Sequence, residues 1–167
     1  LSKRRSIINL IITNLKEIDG GISPFSSSYT FGTNLFNNVF RGAENLENVN
    51  DFPVVYAFAG PEIYDYQTVG NTEASLTVLL RCYLKNGDRT QLRIAEDTLI
   101  QDIDHVIYQM STSSDNIQTI GVTLVDSSQG LLDEYAIVEI RINVKYEFLQ
   151  FFKLFKLNKY IIFSKVI

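Results

Sequence analysis

The stretch DEYAIVEIRINVKYEF, residues 133–148, alternates in character from end to end. Ala136, Val138, Ile140, Ile142, Val144, Tyr146 and Phe148 fall on one face, and Tyr135, Ile137, Glu139, Arg141, Asn143, Lys145 and Glu147 on the other. This period of two is the signature of a half-buried strand. At about 3.3 Å per residue the run spans roughly 50 Å. A compact chain of 167 residues has a radius of gyration near 15 Å, hence a diameter of about 40 Å. Part of the strand must therefore bend or project, and a projecting strand with an apolar face is a template for another chain. The first functional expectation is assembly.

The neighbouring segments supply its partners. Residues 117–126 read as a strand with Ile120, Val122 and Leu124 on one side, and Ser127-Ser128-Gln129-Gly130 turns it back into the long strand. The two form an antiparallel hairpin with a loop longer than the tight two-residue type. From Thr72 to Lys85 a second long strand sets Leu76, Val78, Leu80, Cys82 and Leu84 on one face and Thr77, Leu79, Arg81, Tyr83 and Lys85 on the other. The second face is itself rather apolar, as expected if something covers it. After the turn Asn86-Gly87-Asp88 the period becomes helical, with Leu92, Ala95, Leu99, Ile103, Val106 and Met110 repeating from Thr90 to Ser111. Pro53 opens a short strand, Val54 to Phe58, which Gly60-Pro61 closes.

Toward the N-terminus the order is looser. Ile8, Ile11, Leu15 and Ile18 form the apolar stripe of an amphipathic helix that Gly20 and Gly21 stop. Asn9, Thr13, Asn14, Lys16 and Glu17 interrupt the stripe and separate it from a signal sequence. Lys3, Arg4 and Arg5 stand at the end where the helix dipole disfavours cations. They read as a solvated terminus or as a contact for an acidic partner. Residues 20–51 are rich in Gly, Ser, Asn and Thr, and Tyr29 to Phe40 holds at most one or two irregular strands. The expected fold is α+β: a mixed, mainly antiparallel sheet, two helices packed on one face, and a long β-hairpin at the C-terminal end.

Composition excludes several functions. One cysteine, Cys82, forbids an intrachain disulfide, and one histidine leaves a Cys/His zinc cage without its ligands. Residues 1–148 hold 11 basic and 19 acidic residues, 11 − 19 = −8, an acidic body unlike a general nucleic-acid binder. Residues 149–167 add Lys153, Lys156, Lys159 and Lys165 without an acid. A single domain over 1–148 followed by an apolar, lysine-rich extension over 149–167 is the expected organisation. As a spanning helix the extension is too interrupted by charge. It reads instead as an interfacial helix, as a segment packed on its own or a neighbouring subunit with its lysines meeting the acidic body, or as an addition without function.

Catalytic signals are sparse. His105, with Gln101, Asp102 and Gln109 at helical spacing, makes an acid–histidine pair conceivable, but no serine lies in a G-x-S-x-G setting and a solvated histidine is the plainer reading. Glu96, Asp97, Asp102 and Asp104 point in different directions around their helix and read as a solvated face. Glu62, Asp65 and Glu73 lack the E-x-K strand of a carboxylate nuclease, since Glu139-x-Arg141 offers an arginine that keeps its proton. Cys82, on an apolar face, reads as a core thiol.

The patterns R-R-x-I-x-x-x-I-I-x-x-L-K-x-I from Arg4, the passage from Phe40 to Pro53 leading into P-V-V-Y, Gly70-Asn71 before a long strand, the helix after a turn, and E-Y-A-I-V-E-I-R-I-N-V-K-Y-E-F from Glu134 together resemble bacteriophage tail terminator, or tail completion, proteins. The resemblance covers about residues 4–148 and rests on patterning and element order. It implies a virion protein that forms a ring, usually hexameric, on the last ring of the tail tube, stops tube growth and offers a surface to the neck. It implies no catalytic residue, no cofactor and no metal; DNA would pass through the lumen without sequence-specific binding. Other ring proteins, such as a neck adaptor or a tube subunit, share the assembly physics. A small-ligand or enzymatic domain would need a concave site near His105 or Glu62. Exposed apolar or loop character nominates Phe31, Phe36, Ser127, Gln129, Leu131, Tyr135 and Ile137 as interface residues.

Overall fold

The computed structural model describes residues 2–66, 71–113, 117–127 and 134–149. In chain order the elements are α1 (Lys3–Leu15), β1 (Val39–Arg41), β2 (Val54–Tyr66), β3 (Asn71–Lys85), α2 (Arg89–Ser113), β4 (Thr119–Ser127) and β5 (Tyr135–Leu149). The strands form one sheet in the order β1-β2-β3-β5-β4. β1 runs parallel to β2, and every other pairing is antiparallel. This is the expected α+β architecture with its C-terminal hairpin.

The two fifteen-residue strands β3 and β5 pair without a break, from Asn71 opposite Leu149 to Lys85 opposite Tyr135. Their alternation places Leu76, Val78, Leu80, Cys82 and Leu84 beside Val144, Ile142, Ile140, Val138 and Ala136, all buried. α1 buries Ile7, Ile8, Ile11 and Leu15, and α2 buries Leu99, Ile103, Val106, Ile107 and Met110, into the same core. Both helices thus cover one face of the sheet. Local chemistry sets their starts: the Ser2 hydroxyl accepts from the Arg5 amide, and the Asp88 carboxylate accepts from the Thr90 amide at 2.7 Å.

Two bulges separate the strands from the pattern read in sequence. Gly60-Pro61 does not close β2. The pairing with β3 shifts between Ala59 and Glu62, and the strand continues to Tyr66. A bulge tolerates the missing proline N–H, and glycine is suited to the spot because a Cβ on Gly60 would stand 3.2 Å from the Thr77 carbonyl oxygen. In β4 a shift between Val122 and Leu124 ends the alternation, so Leu124 pairs with Arg141 on the helix-free face while Ile120 stays in the core. Residues 19–38 form no regular strand; they fold back through bridges between Asp19 and Asn34 and between Ile22 and Thr30.

Leu80 sits between Ala57 and Ile140 with no exposed surface. Leu80→Ala should lower the free energy of urea unfolding by about 3 kcal/mol, since transfer and cavity terms add at a site held on both sides. A loss below about 1 kcal/mol would mean that the sheet centre can collapse around the deletion.

Candidate assembly surface

The face of the sheet away from the helices carries an aromatic band. Phe40 on β1 pairs with Tyr56 on β2, their rings 5.7 Å apart, and Tyr56 meets the Tyr83 ring at 6.1 Å. Phe52 and Tyr135 meet at 5.6 Å. Between them Arg81 donates twice to one carboxylate oxygen of Glu139, at 2.9 and 2.6 Å, and lies 5.8 Å from the centre of the Phe58 ring. The Tyr83 hydroxyl donates to the Glu44 carbonyl at 2.6 Å and fastens the loop before β2 across this face. Such a partly covered aromatic surface suits recognition of another protein, where rigid rings lose little entropy.

The sheet also ends in open edges. β1 covers only Val55 to Ala57 of β2, and β4 has β5 on one side alone, so the far part of β2 and the outer side of β4 have no strand beside them among the described residues. Ile63 and Tyr64 on β2, and Leu124 and Val125 on β4, are exposed apolar side chains at these edges.

The residues nominated from sequence divide. Phe36 is exposed, and Tyr135 and Ile137 are half-buried on the helix-free face. Ser127 is half-buried, and its hydroxyl donates to the Glu96 carboxylate. Gln129 and Leu131 lie outside the described residues. Phe31 is not a surface anchor: it is 2% exposed, packed edge-on against Tyr29 and His105. The expected solvated acidic face of α2 is likewise corrected. Asp102 is buried and accepts from the Tyr29 hydroxyl at 2.9 Å and from the Gly32 and Thr33 amides at 3.1 and 2.8 Å. Glu96 is buried against Ser127.

Asp102 is therefore the post to which the irregular segment 19–38 is tied, and that is why Phe31 goes inward. His105 completes the joint. Its ring stacks on Tyr29 at 3.8 Å, and its Nε2 lies 3.2 Å from the Ser23 hydroxyl. Burial and the bond to Asp102 push the Tyr29 hydroxyl up to about 12. The serine, histidine and aspartate that a triad would require are here occupied in holding a loop, with Asp102 turned to backbone amides. Glu62, on the helix side of β2, accepts from the Tyr146 and Tyr64 hydroxyls and pairs with Arg4 at 3.6 Å. Arg4 also donates to the Gly60 carbonyl at 3.1 Å, so one of the N-terminal cations is engaged by its own chain. A cleft of about 350 Å³ lies beside this group, lined by Ser2, Lys3, Arg4, Glu62, Tyr64 and Tyr146.

The edge residues escaped the reading of the sequence because β2 seemed to stop at Gly60-Pro61. The alternation of Ile63, Tyr64, Asp65 and Tyr66 was the available signal.

A mixed sheet with two helices on one face, an aromatic opposite face and open strand edges defines an α+β subunit with its distinctive chemistry on the sheet. The chain belongs to the bacteriophage tail tube terminator protein family, whose model matches residues 1–153. It is a structural component of the phage tail. It is 26% identical over 160 residues to the tail tube terminator protein of Escherichia phage T5, a match covering 88% of this chain and 95% of that protein. Among solved structures, a chain of the virion of a native gene transfer agent particle shares the fold with a TM-score of 0.54 at 6% identity, over 89% of this chain and 100% of the other.

Asp102→Ala should lower stability by roughly 2 kcal/mol, because it leaves the buried Thr33 amide, and the part-buried Gly32 amide and Tyr29 hydroxyl, without their acceptor. Urea unfolding measures it, and a neutral result would show that the 19–38 segment holds itself in place.

Proposed function

We propose that this chain forms a closed ring, hexameric as the family resemblance implies, that sits on the last ring of the tail tube, ends its polymerisation and presents its far side to the neck or connector protein. The observation that carries this reading is the sheet's margins: the long strand β5 is interior, paired by β3 and β4, whereas the far part of β2 and the outer side of β4 have no strand beside them among the described residues. Strand edges and an aromatic sheet face are satisfied by copies of the same chain, and head-to-tail contacts that close leave no edge to recruit further subunits sideways. Phe36, Ser127, Tyr135 and Ile137 are then contact residues, together with Gln129 and Leu131. No covalent chemistry belongs to this role. Residues 1–148 act as one domain, with 149–167 as an extension.

The ring surrounds the path of the DNA. A body of net charge −8 (11 basic, 19 acidic) repels the phosphate backbone and lets the duplex slide without adhering. Assembly takes place in the host cytoplasm, and the finished protein resides in the virion tail near the neck. No helix among the described residues is long and apolar enough to cross a membrane.

Adding the purified chain to growing tail tubes should shorten them in electron micrographs and leave a ring on one end, while the chain alone stays at one discrete ring mass. If the chain polymerised into tubes by itself, it would be a tube subunit; if tube length were indifferent to it, the terminating role would be wrong.

A further inference from the structure

The two edges of the sheet that have no strand beside them among the described residues match one another. On β2, Pro61 has no N–H to offer and Arg4 already occupies the Gly60 carbonyl, which leaves Glu62 to Tyr66 as the available stretch. Ile63, opposite Ser75, is 70% exposed on the helix-free face, and Tyr64, opposite Ala74, is 44% exposed on the helix side. On β4, Leu124, opposite Arg141, is 42% exposed on the helix-free face, and Val125, opposite Ile140, is 38% exposed on the helix side. Each of these stretches thus presents a partly exposed apolar or aromatic side chain on each face.

Strand polarity agrees. β2, β3, β5 and β4 alternate in direction, so β4 of one copy laid against β2 of the next is antiparallel and the helices of both copies stay on the same side. Placing Leu124 across from Ile63 brings Val125 diagonal to Tyr64, so both apolar pairs form in one register.

We infer that β4 of each copy pairs antiparallel with β2 of the next, Leu124 facing Ile63, and that these joints connect the sheets of all copies head to tail into one closed sheet. The inference rests on the ring reading above and states which edges make the ring. Its register has a geometric consequence. Within one chain Leu124 is level with Arg141, whereas Ile63 is level with Lys145 through Ser75, so each copy is offset from the next by 145 − 141 = 4 residues, about 13 Å along the strands. A sheet that closes on itself requires a stagger of this kind. Pairing β4 with β4 would instead be two-fold, joining two copies and leaving both β2 edges bare.

The test uses the full chain carrying Ile63→Cys and Leu124→Cys together, with each single variant as control. Cys82 is fully buried and burial pushes its thiol pKa up, so it contributes no background. Native mass is measured first, then mild oxidation is followed on non-reducing gels. The double variant should give a ladder of covalent oligomers up to the ring number that collapses on reduction, and the single variants should remain monomeric on the gel. A ring by native mass without the ladder, or a dimer from Leu124→Cys alone, overturns the edge assignment and leaves the ring reading standing. A monomeric native mass for the unsubstituted chain overturns both. As a second arm, Val125→Asp with Leu124→Asp should leave the circular dichroism and urea midpoint of the subunit unchanged while abolishing the ring mass; an intact ring contradicts the pairing.

Discussion

The unbroken pairing of β3 with β5 is the constraint on which the rest of this molecule depends. Fifteen consecutive residue pairs fix the register of the sheet, and because side chains alternate, they also fix which residues meet the helices. A one-residue slip of β5 would turn Ile140 and Ile142 out to solvent and bring Arg141 into the core. The helix side of the ribbon of β3 and β5 is buried from Thr72 to Leu84 and from Ala136 to Tyr146, and the exposed apolar residues collect on the flanking strands, Ile63 and Tyr64 on β2 and Leu124 and Val125 on β4. Stability and the proposed assembly thus rest on one sheet, its centre sealed and its margins without a further strand among the described residues.

The helices are held to this sheet in two ways. α1 and α2 contribute ordinary apolar stripes to the shared core. α2 also contributes Asp102, which gathers the amides of Gly32 and Thr33 and the Tyr29 hydroxyl. A buried carboxylate is tolerated when hydrogen bonds replace its water. Here those bonds give an irregular segment a defined place, which residues with so many glycines, serines and asparagines could not find through strand pairing. His105 stacked on Tyr29 extends the same joint. What resembles fragments of catalytic apparatus in sequence is, in space, the fastening of a loop.

Much of the fold was legible because it depends on period. The alternation of 133–148 and 72–85 and the helical repeat from Leu92 to Met110 predict the long strands and the second helix within a few residues. The hairpin partner and the Asn86-Gly87-Asp88 turn were equally plain. Local chemistry obscured the rest. A bulge lets β2 pass through Gly60-Pro61, and another turns Leu124 outward, and neither changes composition in a way that periodicity registers. Phe31 and Asp102 were misplaced for a different reason: each gets its position from a partner about seventy residues away, which no local window contains. The proposed assembly surface was legible only in part. Tyr135 and Ile137 follow from alternation, whereas Ile63 and Leu124 require the sheet order and its shifts.

In the proposed ring the outer sides of β4 and of the far part of β2 become hydrogen-bonded only when copies meet. Hydrogen–deuterium exchange, compared between a dilution at which the chain is dispersed and a concentration at which it is assembled, reads this directly. The outward-pointing amides within Thr119–Ser127 and Glu62–Tyr66 should slow markedly on assembly, while those at the centre of β3 and β5 stay protected throughout. Equal exchange at both edges in the dispersed and assembled states would contradict the claim that the open sheet is completed by its neighbours.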